Sequence, residues 1–490
     1  MTTNALTYRI HTLGCRVNHA ECRDLEAVLC NHGLQRAADS SPATVEVVHS
    51  CAVTSRAAAK SRNAARRARR RQAQDQGEGL VLVTGCLAAD PAHERNAHAA
   101  GGEGNLIGHA VAEDASGMVE QFADRLGRWL ATRSTQPMRP TSLPLLRDTP
   151  PTRCTGHVRA ELKIQDGCDA HCTFCIIPTL RPTVRSKPVS EIVAEARLLV
   201  EAGHVELVLT GIFIGAFGHE TALRRKQVNR WASPLADLLD AVAQVPGLER
   251  LRLSSMEPGD VDEPLLDVMV THASVIVPHL HLPLQSGSDA VLRRMNRQYD
   301  TAAYRAMLEQ VHAALTSDDG LPPALTTDII CGFPGESEAD MQATVDLVQE
   351  AGLLHMHVFP YSPRPGTAAA RWARDAVPGG VVRARVRRLI DLETRPGGLR
   401  ETFQQRLLGR EMRVILEQRD DSRPGRWLGR CDHYARVSVR CGASAVAAAC
   451  GDLVRAIPTA IDDDVLLASV APRTVPLPVL GPLASEGNES

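Results

Sequence analysis

Three cysteines stand in the run IQDGCDAHCTFCIIP as Cys168, Cys172 and Cys175, a C-x3-C-x2-C spacing. A loop this short presents three thiolates to an iron-sulfur cube that normally takes four, leaving one iron open to an exchangeable ligand. Zinc would need a fourth Cys or His at suitable spacing. His171 lies in the loop, but as the immediate neighbour of Cys172 it is badly placed to share one tetrahedral ion. A second set of thiols comes from HTLGCRVNHAE, VVHSCAVTSRAAAKSRNAARR and LVLVTGCLAAD, which place Cys15, Cys51 and Cys86 each after a short β-like run and before a helix-like stretch. Strands of one small parallel sheet would gather them at a common edge, where helix N-termini lower thiol pKa and favour metal ligation. Buried free cysteine is the alternative reading. Cys22, Cys30, Cys154, Cys331, Cys431, Cys441 and Cys450 have no ligand-like spacing and read as structural or incidental.

A chain of 490 residues is long enough for about three domains. With 55 Lys and Arg against 57 Asp and Glu the formal charge is −2, so binding to a polyanion must come from local charge. That charge is concentrated between Arg56 and Arg71, where Lys60, Arg62, Arg66, Arg67, Arg69, Arg70 and Arg71 fall on an expected helix just after Cys51. Such density favours phosphate contact with salt-dependent affinity; a solvated face is the plain alternative. Thirteen cysteines behind MTTNALTYRI, which has no charged segment followed by an apolar one, point to a reducing cytoplasm and metal chemistry. No run of about eighteen apolar residues occurs, so no membrane partner is expected.

The elements that must position these residues follow from composition and periodicity. Residues 1–130 read as an α/β domain, 131–153 as a linker dense in Pro, Ser and Thr, 154–400 as a central domain, 409–471 as a small β domain and 472–490 as a disordered tail. Between Ala160 and Thr367, six runs end in ELKIQDGC, VELVLTGI, LERLRLSS, HLHLPLQSGS, LTTDIICGFPGE and LHMHVFPYSPRPGT, most followed by a helical pattern. This repeat predicts a partial (β/α) barrel of six strands, whose reactive groups gather at the C-terminal strand ends. MRVILEQ, ARVSVR, LVRAIP and DVLLASV predict a small β-barrel at the C-terminal side.

The cysteine loop resembles that of radical S-adenosylmethionine enzymes. With TLGCRVN, SCAVT, TGC, GFPGE and YSPRPGT, the chain resembles the methylthiotransferase family over nearly its whole length. The resemblance implies an α/β fold: a partial (β/α)6 radical-SAM barrel, an N-terminal methylthiotransferase domain and a C-terminal TRAM-like barrel that binds RNA. It implies S-adenosylmethionine and two 4Fe-4S clusters, one on Cys168, Cys172 and Cys175 and a catalytic auxiliary one, for sulfur insertion, on Cys15, Cys51 and Cys86. It also implies that Phe174 lies beside the adenine, Thr210 and Gly211 near the methionine moiety, and Ser255, Glu257, His281, Gln285 and Ser286 around ribose, amine or carboxylate. Gly332, Pro334, Gly335 and Glu336 are expected in a turn near the adenine. Taken singly, such residues also serve as turn or core groups.

TLGCRVN and VLTGIFIGAFG are most similar to the branch that modifies N6-threonylcarbamoyladenosine beside the tRNA anticodon. The expected partners are then the tRNA anticodon loop, an electron donor such as flavodoxin or ferredoxin, and a sulfur source. Methylthiolation of an aspartate in a ribosomal protein, or a non-catalytic iron-sulfur RNA-binding or redox protein, are the alternatives. Two segments depart from the family pattern: TLRPTVRSKP keeps Arg181, Arg185 and Ser186 but lacks an aromatic and an Arg-Gly pair, and HETALRRKQVNRWAS after Gly218 is a basic excursion.

Overall fold

The computed structural model describes residues 6–38, 41–74, 79–90, 106–107, 117–132, 158–224, 232–441 and 448–471. Nearly all of the expected linker, the expected tail, Cys154 and the basic stretch after Arg224 lie outside them.

The N-terminal part runs β1 (Thr7–Thr12), α1 (Arg16–Asn31), β2 (Gln35–Arg36), β3 (Val45–Ser50), α2 (Ser55–Gln74), β4 (Leu80–Gly85), β5 (Leu106–Ile107) and α3 (Gly117–Ala131). The strands form one parallel sheet in the order β2-β1-β3-β4-β5. On one face Leu25, Val28 and Leu29 of α1 and Phe122 and Leu126 of α3 pack on Val45, Val47, Leu80 and Leu82. On the other, Ala64, Ala65 and Ala68 of α2 seat that helix on Val48, Val81 and Val83. Alanines at helical spacing leave Arg56, Arg66, Arg67 and Arg70 of α2 facing outward.

The central part contains β6 (Ala160–Asp166), β7 (Arg185–Ser186), α4 (Val189–Glu201), β8 (Glu206–Gly211), α5 (Pro234–Ala243), β9 (Arg250–Leu253), α6 (Glu263–Thr271), β10 (His279–His281), α7 (Thr301–Leu315), β11 (Ala324–Cys331), α8 (Glu338–Glu350), β12 (His355–Pro360), α9 (Gly379–Thr394) and α10 (Leu399–Gln405). Ladders join β6-β8-β9 and β10-β11-β12, and single bridges Leu251 to Ile276 and Ser255 to His281 close the step between them. The expected partial barrel of six parallel strands is therefore present, with β7 from the departing TLRPTVRSKP segment added antiparallel on β6. Leu162, Leu207, Leu209, Leu251 and Leu280 face the helices. The alternate residues Lys163, Glu206, Arg252, His279 and Thr326 are also buried, which gives this barrel a polar lumen because successive strand residues point to opposite faces.

The last part is a closed barrel of β13 (Met412–Arg419), β14 (Arg426–Cys431), β15 (Arg436–Arg440), β16 (Leu453–Asp462) and β17 (Val465–Val470). β14, RWLGRC, was not among the expected runs; its Gly429 allows a close crossing, since a Cβ there would lie 2.1 Å from the Ile415 carbonyl oxygen. The turn between β14 and β15 docks on the N-terminal end of the larger barrel. Arg250 donates to the carbonyl oxygens of Arg430 and Cys431, and Arg252 to those of Cys431 and Asp432. Both guanidinium groups contact Glu206, at 2.9 and 3.0 Å, with all three side chains fully buried.

Burial alone would raise the Glu206 carboxyl, but Arg250 and Arg252 outweigh it and hold it at about 2. Glu206→Ala leaves two buried cations without their carboxylate and should destabilise the protein by about 3–5 kcal/mol, seen as a lower denaturant midpoint. Because this pKa is depressed from 4.5, its stabilisation is complete above that pH and is lost as pH falls toward 2. The variant should lack that part of the acid sensitivity.

Candidate active site

The loop carrying Cys168, Cys172 and Cys175 leaves the C-terminal end of β6. Gly167 turns the chain with φ +76°, and any side chain there would meet the Thr183 carbonyl. His171 takes a left-handed conformation, φ 53°, and its carbonyl accepts from Asn296 Nδ2 at 3.1 Å. Thr173 is tied to the carbonyls of Met295 and Arg294, and Asp169 accepts from Thr221 and the Ala222 backbone. The thiols are thereby fixed from two neighbouring strand-end segments. Phe174 stands edge-on to Phe333 with centroids 6.5 Å apart.

Arg297 brings a positive charge against this loop. Its Nη1 lies 3.1 Å from Cys172 Sγ, its Nη2 2.7 Å from Glu257 Oε1, and its Nε 3.3 Å from Tyr299 Oη. Glu257 is buried, and among the described residues its Oε2 accepts no hydrogen bond, with Arg224 Nη2 3.8 Å away as its one charged neighbour on that side. An acceptor in that state beside a cysteine loop suits a ligand that brings donors, such as the ammonium or ribose hydroxyls of S-adenosylmethionine.

The second trio assembles as expected at one edge of the N-terminal sheet, with one correction. Cys15 caps α1 and Cys51 precedes α2, but Cys86 is followed by a turn rather than a helix. Asn18 braces the edge by donating to the carbonyls of Leu13 and Ser50. Gly14, φ +121°, brings the chain so close to Cys51 that a Cβ would sit 2.7 Å from Cys51 Cβ and 3.1 Å from its Sγ. The expected lowering of thiol pKa is overturned for the buried members: burial pushes Cys86 up to about 12 and raises Cys51. Desolvation disfavours the thiolate more than a helix end favours it. Cys168 and Cys175 are likewise pushed by burial to about 12, and Cys172 is raised; a bound metal reverses that balance by taking the thiolate directly.

The trios are neighbours. Cys86, Leu87 and Ala89 pack in one apolar cluster with Ile176, Ile177 and Leu180, against which Cys168 and Cys175 also lie. Beneath them, Arg181 hydrogen-bonds Glu21 at 2.7 and 3.0 Å and Asp166 at 2.8 Å, while Lys163 reaches the same two carboxylates at 2.7 and 2.6 Å. The Cys168 N–H donates to the Arg181 carbonyl. No three His, Cys, Asp or Glu side chains among the described residues are gathered tightly enough to share one metal ion. An iron-sulfur cluster does not ask for that, because each thiolate takes a different iron.

The other expected strand-end residues divide. Thr210 is buried at the end of β8, and Gly211 lies against Gln165, whose Oε1 accepts the Phe213 N–H. Ser255 is exposed and bridges to His281, which faces the lumen with Nδ1 2.9 Å from Thr326 Oγ1 and Nε2 3.4 Å from Asp328. Gln285 has φ 65°. Ser286 turns instead to Thr344 of α8, 3.4 Å away. Gly332, φ +77°, abuts Val382 of α9 and gives its N–H to Glu336, whose carboxylate is held by Arg385 at 2.6 Å. Pro334 and Gly335 complete that turn; Gly335 has φ +85°. Sequence reasoning missed Arg297, Glu21 and Lys163. The signal for Lys163 was there: charged residues alternating with apolar ones in ELKIQD, inside a strand type that is normally apolar throughout.

Residues 162–348 match the radical SAM superfamily, and residues 7–101 match the Uncharacterized protein family UPF0004. The chain is 34% identical to Threonylcarbamoyladenosine tRNA methylthiotransferase MtaB of Bacillus subtilis, over 88% of this chain and 90% of that one. It is 33% identical to the tRNA-2-methylthio-N(6)-dimethylallyladenosine synthase of Erythrobacter litoralis, again over 88% and 90%. Among solved structures, the radical S-adenosylmethionine methyltransferase TsrM from Kitasatospora setae has a TM-score of 0.47 at 11% identity, covering 75% of this chain and 77% of that one. Fold and family match together define a radical SAM enzyme that transfers sulfur-containing groups. The chain belongs to the tRNA methylthiotransferase family, whose cofactors are S-adenosylmethionine and two 4Fe-4S clusters. No helix among the described residues is long and apolar enough to cross a membrane.

Arg181→Met would leave two buried carboxylates, Glu21 and Asp166, to share Lys163 beneath both trios, with one negative charge uncompensated. A loss of about 3–5 kcal/mol is expected, with reduced iron retention after anaerobic reconstitution, checked by thermal denaturation and iron analysis.

Proposed function

We propose that this protein is the cytoplasmic tRNA methylthiotransferase that converts N6-threonylcarbamoyladenosine, next to the anticodon, to its 2-methylthio derivative. The observation that carries the choice of substrate is the polar lumen below the cysteine loop, where Lys163, Glu206, Arg252, His279 and Thr326 are buried. A threonylcarbamoyl group brings a carboxylate, a hydroxyl and amides to such walls. A dimethylallyl chain offers no hydrogen-bonding group to these walls, which pair Lys163 with Glu21 and Asp166 and Glu206 with Arg252.

In this reading Cys168, Cys172 and Cys175 hold the cluster that binds S-adenosylmethionine, and Cys15, Cys51 and Cys86 hold the auxiliary cluster. Bound there, the cofactors supply a 5'-deoxyadenosyl radical and the sulfur, while the protein positions them. Glu257 Oε2 accepts from the ligand, Phe174 borders the adenine, and the buried apolar cluster around Leu87 and Ile177 keeps water from the gap between the trios. Residues 1–130, 154–400 and 409–471 then act as the auxiliary-cluster, radical and RNA-binding units. A flavodoxin- or ferredoxin-like reductant and a sulfur source complete the reaction.

The tRNA docks along α2. Arg56, Lys60, Arg66, Arg67 and Arg70 are exposed on it, whereas Arg71 is withdrawn from the expected RNA face. Arg71 pairs with buried Glu46 beside His11; burial would raise that carboxyl, but Arg71 and His11 hold it at about 2. The start of α2 meets the barrel mouth, where Ser55 hydrogen-bonds Ser362 and the Pro363 carbonyl, so the basic face leads away from the site.

Mass spectrometry of tRNA nucleosides from a deletion strain and its parent tests the reading. Loss of 2-methylthio-N6-threonylcarbamoyladenosine with accumulation of its precursor supports it, and an unchanged tRNA profile with loss of a methylthiolated ribosomal aspartate overturns it. Replacing Arg66, Arg67 and Arg70 by Gln should weaken anticodon stem-loop binding. It should also flatten the slope of log affinity against log salt by about 0.7–0.9 for each phosphate that is no longer neutralised.

A further inference from the structure

The floor of the lumen is assembled from all three parts of the chain. Tyr434, in the turn between β14 and β15, is held with φ 64° and presses its ring on His279 of β10, centroids 4.5 Å apart and 21° from parallel. The guanidinium groups of Arg430, Arg252 and Arg159 lie 4.3, 5.1 and 5.8 Å from its centre. Its hydroxyl accepts from Arg16 Nη2 at 3.2 Å. Arg16 opens α1 immediately after Cys15, so a residue next to the auxiliary trio reaches the bottom of the radical barrel and meets the C-terminal domain there.

These cations differ in what they still have to offer. Arg252 is committed to Glu206 at 3.0 Å and Arg159 to Glu417 at 3.1 Å. Arg430 donates to the Tyr434 carbonyl. Arg16 is half-buried and pairs with no carboxylate among the described residues, and its charge is felt by buried His279. A half-buried guanidinium braced at one nitrogen by an aromatic hydroxyl is suited to bind a carboxylate through its remaining donors. An adenine presented with C2 toward the cysteine loop carries its N6 substituent on a different edge of the ring, which can be turned toward Arg16.

We propose that this floor is the subsite for the carboxylate of the substrate's N6 substituent, with Arg16 its ligand and Tyr434 the residue that positions Arg16. This rests on the function proposed above and makes the C-terminal barrel part of the substrate site as well as an RNA-binding module. It also places the specificity residue one position from an auxiliary-cluster cysteine, so recognition of the substituent and placement of Cys15 share one loop.

The test removes the charge from the ligand as well as from the protein. An anticodon stem-loop carrying N6-threonylcarbamoyladenosine is compared with the same RNA bearing the carboxylate as its methyl ester, using the full chain with reconstituted clusters. The intact protein should prefer the acid by roughly tenfold to a hundredfold in Kd and kcat/KM, the worth of one charge-assisted hydrogen-bonded contact. Arg16→Gln should lose that preference and Tyr434→Phe should reduce it, with iron content and the auxiliary-cluster electron paramagnetic resonance spectrum unchanged. An acid-over-ester ratio that stays the same in Arg16→Gln overturns the proposal. Should that variant fail to load iron, an unchanged ratio in Tyr434→Phe, which leaves the neighbour of Cys15 intact, overturns it equally. If the intact protein methylthiolates neither RNA, the substrate reading itself has failed; if it modifies both equally well, only the subsite has.

Discussion

Arg181 is the group on which the arrangement of both cysteine trios depends. Its carbonyl anchors the start of the radical-SAM loop at Cys168, and its guanidinium lies beside Cys86, whose thiol it pulls downward against the larger effect of burial. The same guanidinium, fully buried, bridges Glu21 of the N-terminal domain and Asp166 at the end of β6. Lys163 balances the second charge, and His49 closes the group on Glu21 at 3.0 Å. Buried ions are costly to desolvate, and a hydrophobic replacement of matched shape is often as stable. Such a network nevertheless tolerates only one docking geometry, because a small slip would leave charges unpaired. Two cysteine-bearing loops far apart in the chain face each other in one register, and this network ties them there.

The opposite end of the barrel repeats the logic with backbone acceptors. Arg250 and Arg252 join Glu206 to the carbonyls of the β14–β15 turn. The radical barrel is thus gripped at its mouth by the N-terminal domain and at its base by the C-terminal one, each through charges placed on lumen-facing strand positions. Outward-facing positions of the same strands carry leucine and bind the helices. One period-two pattern therefore encodes both the core of the barrel and its docking to its neighbours.

That pattern explains what the sequence disclosed and what it withheld. The six strand ends, the cysteine loop and the gathering of Cys15, Cys51 and Cys86 follow from local spacing and strand-helix alternation, and all were legible. β7 and β14 were not: one is two residues long, and the other is broken by Arg and Gly in RWLGRC. The charge network was invisible for a different reason. Lys163 and Arg181 find Glu21 across 142 and 160 residues, and no local periodicity reports a partner that far away. The polar lumen could have been read, since ELKIQD, RLRL and HLH alternate where a strand buried on both faces is ordinarily apolar throughout. The thiol pKa expectation failed because it weighed helix ends and not burial; Cys86 enters a turn directly and has almost no exposure, so desolvation prevails over the pull of Arg181.

Close approach is the last constraint. Gly14, Gly85 and Gly167 sit immediately before Cys15, Cys86 and Cys168, each with positive φ and each at a contact no side chain would fit. A glycine directly ahead of a cysteine lets the strand end approach a neighbouring segment more closely than any side chain would allow. Cys51 lacks such a glycine and is instead the surface on which Gly14 packs. The trio is therefore built around Cys51 as the fixed member, with Cys15 delivered against it by a turn that also carries Arg16.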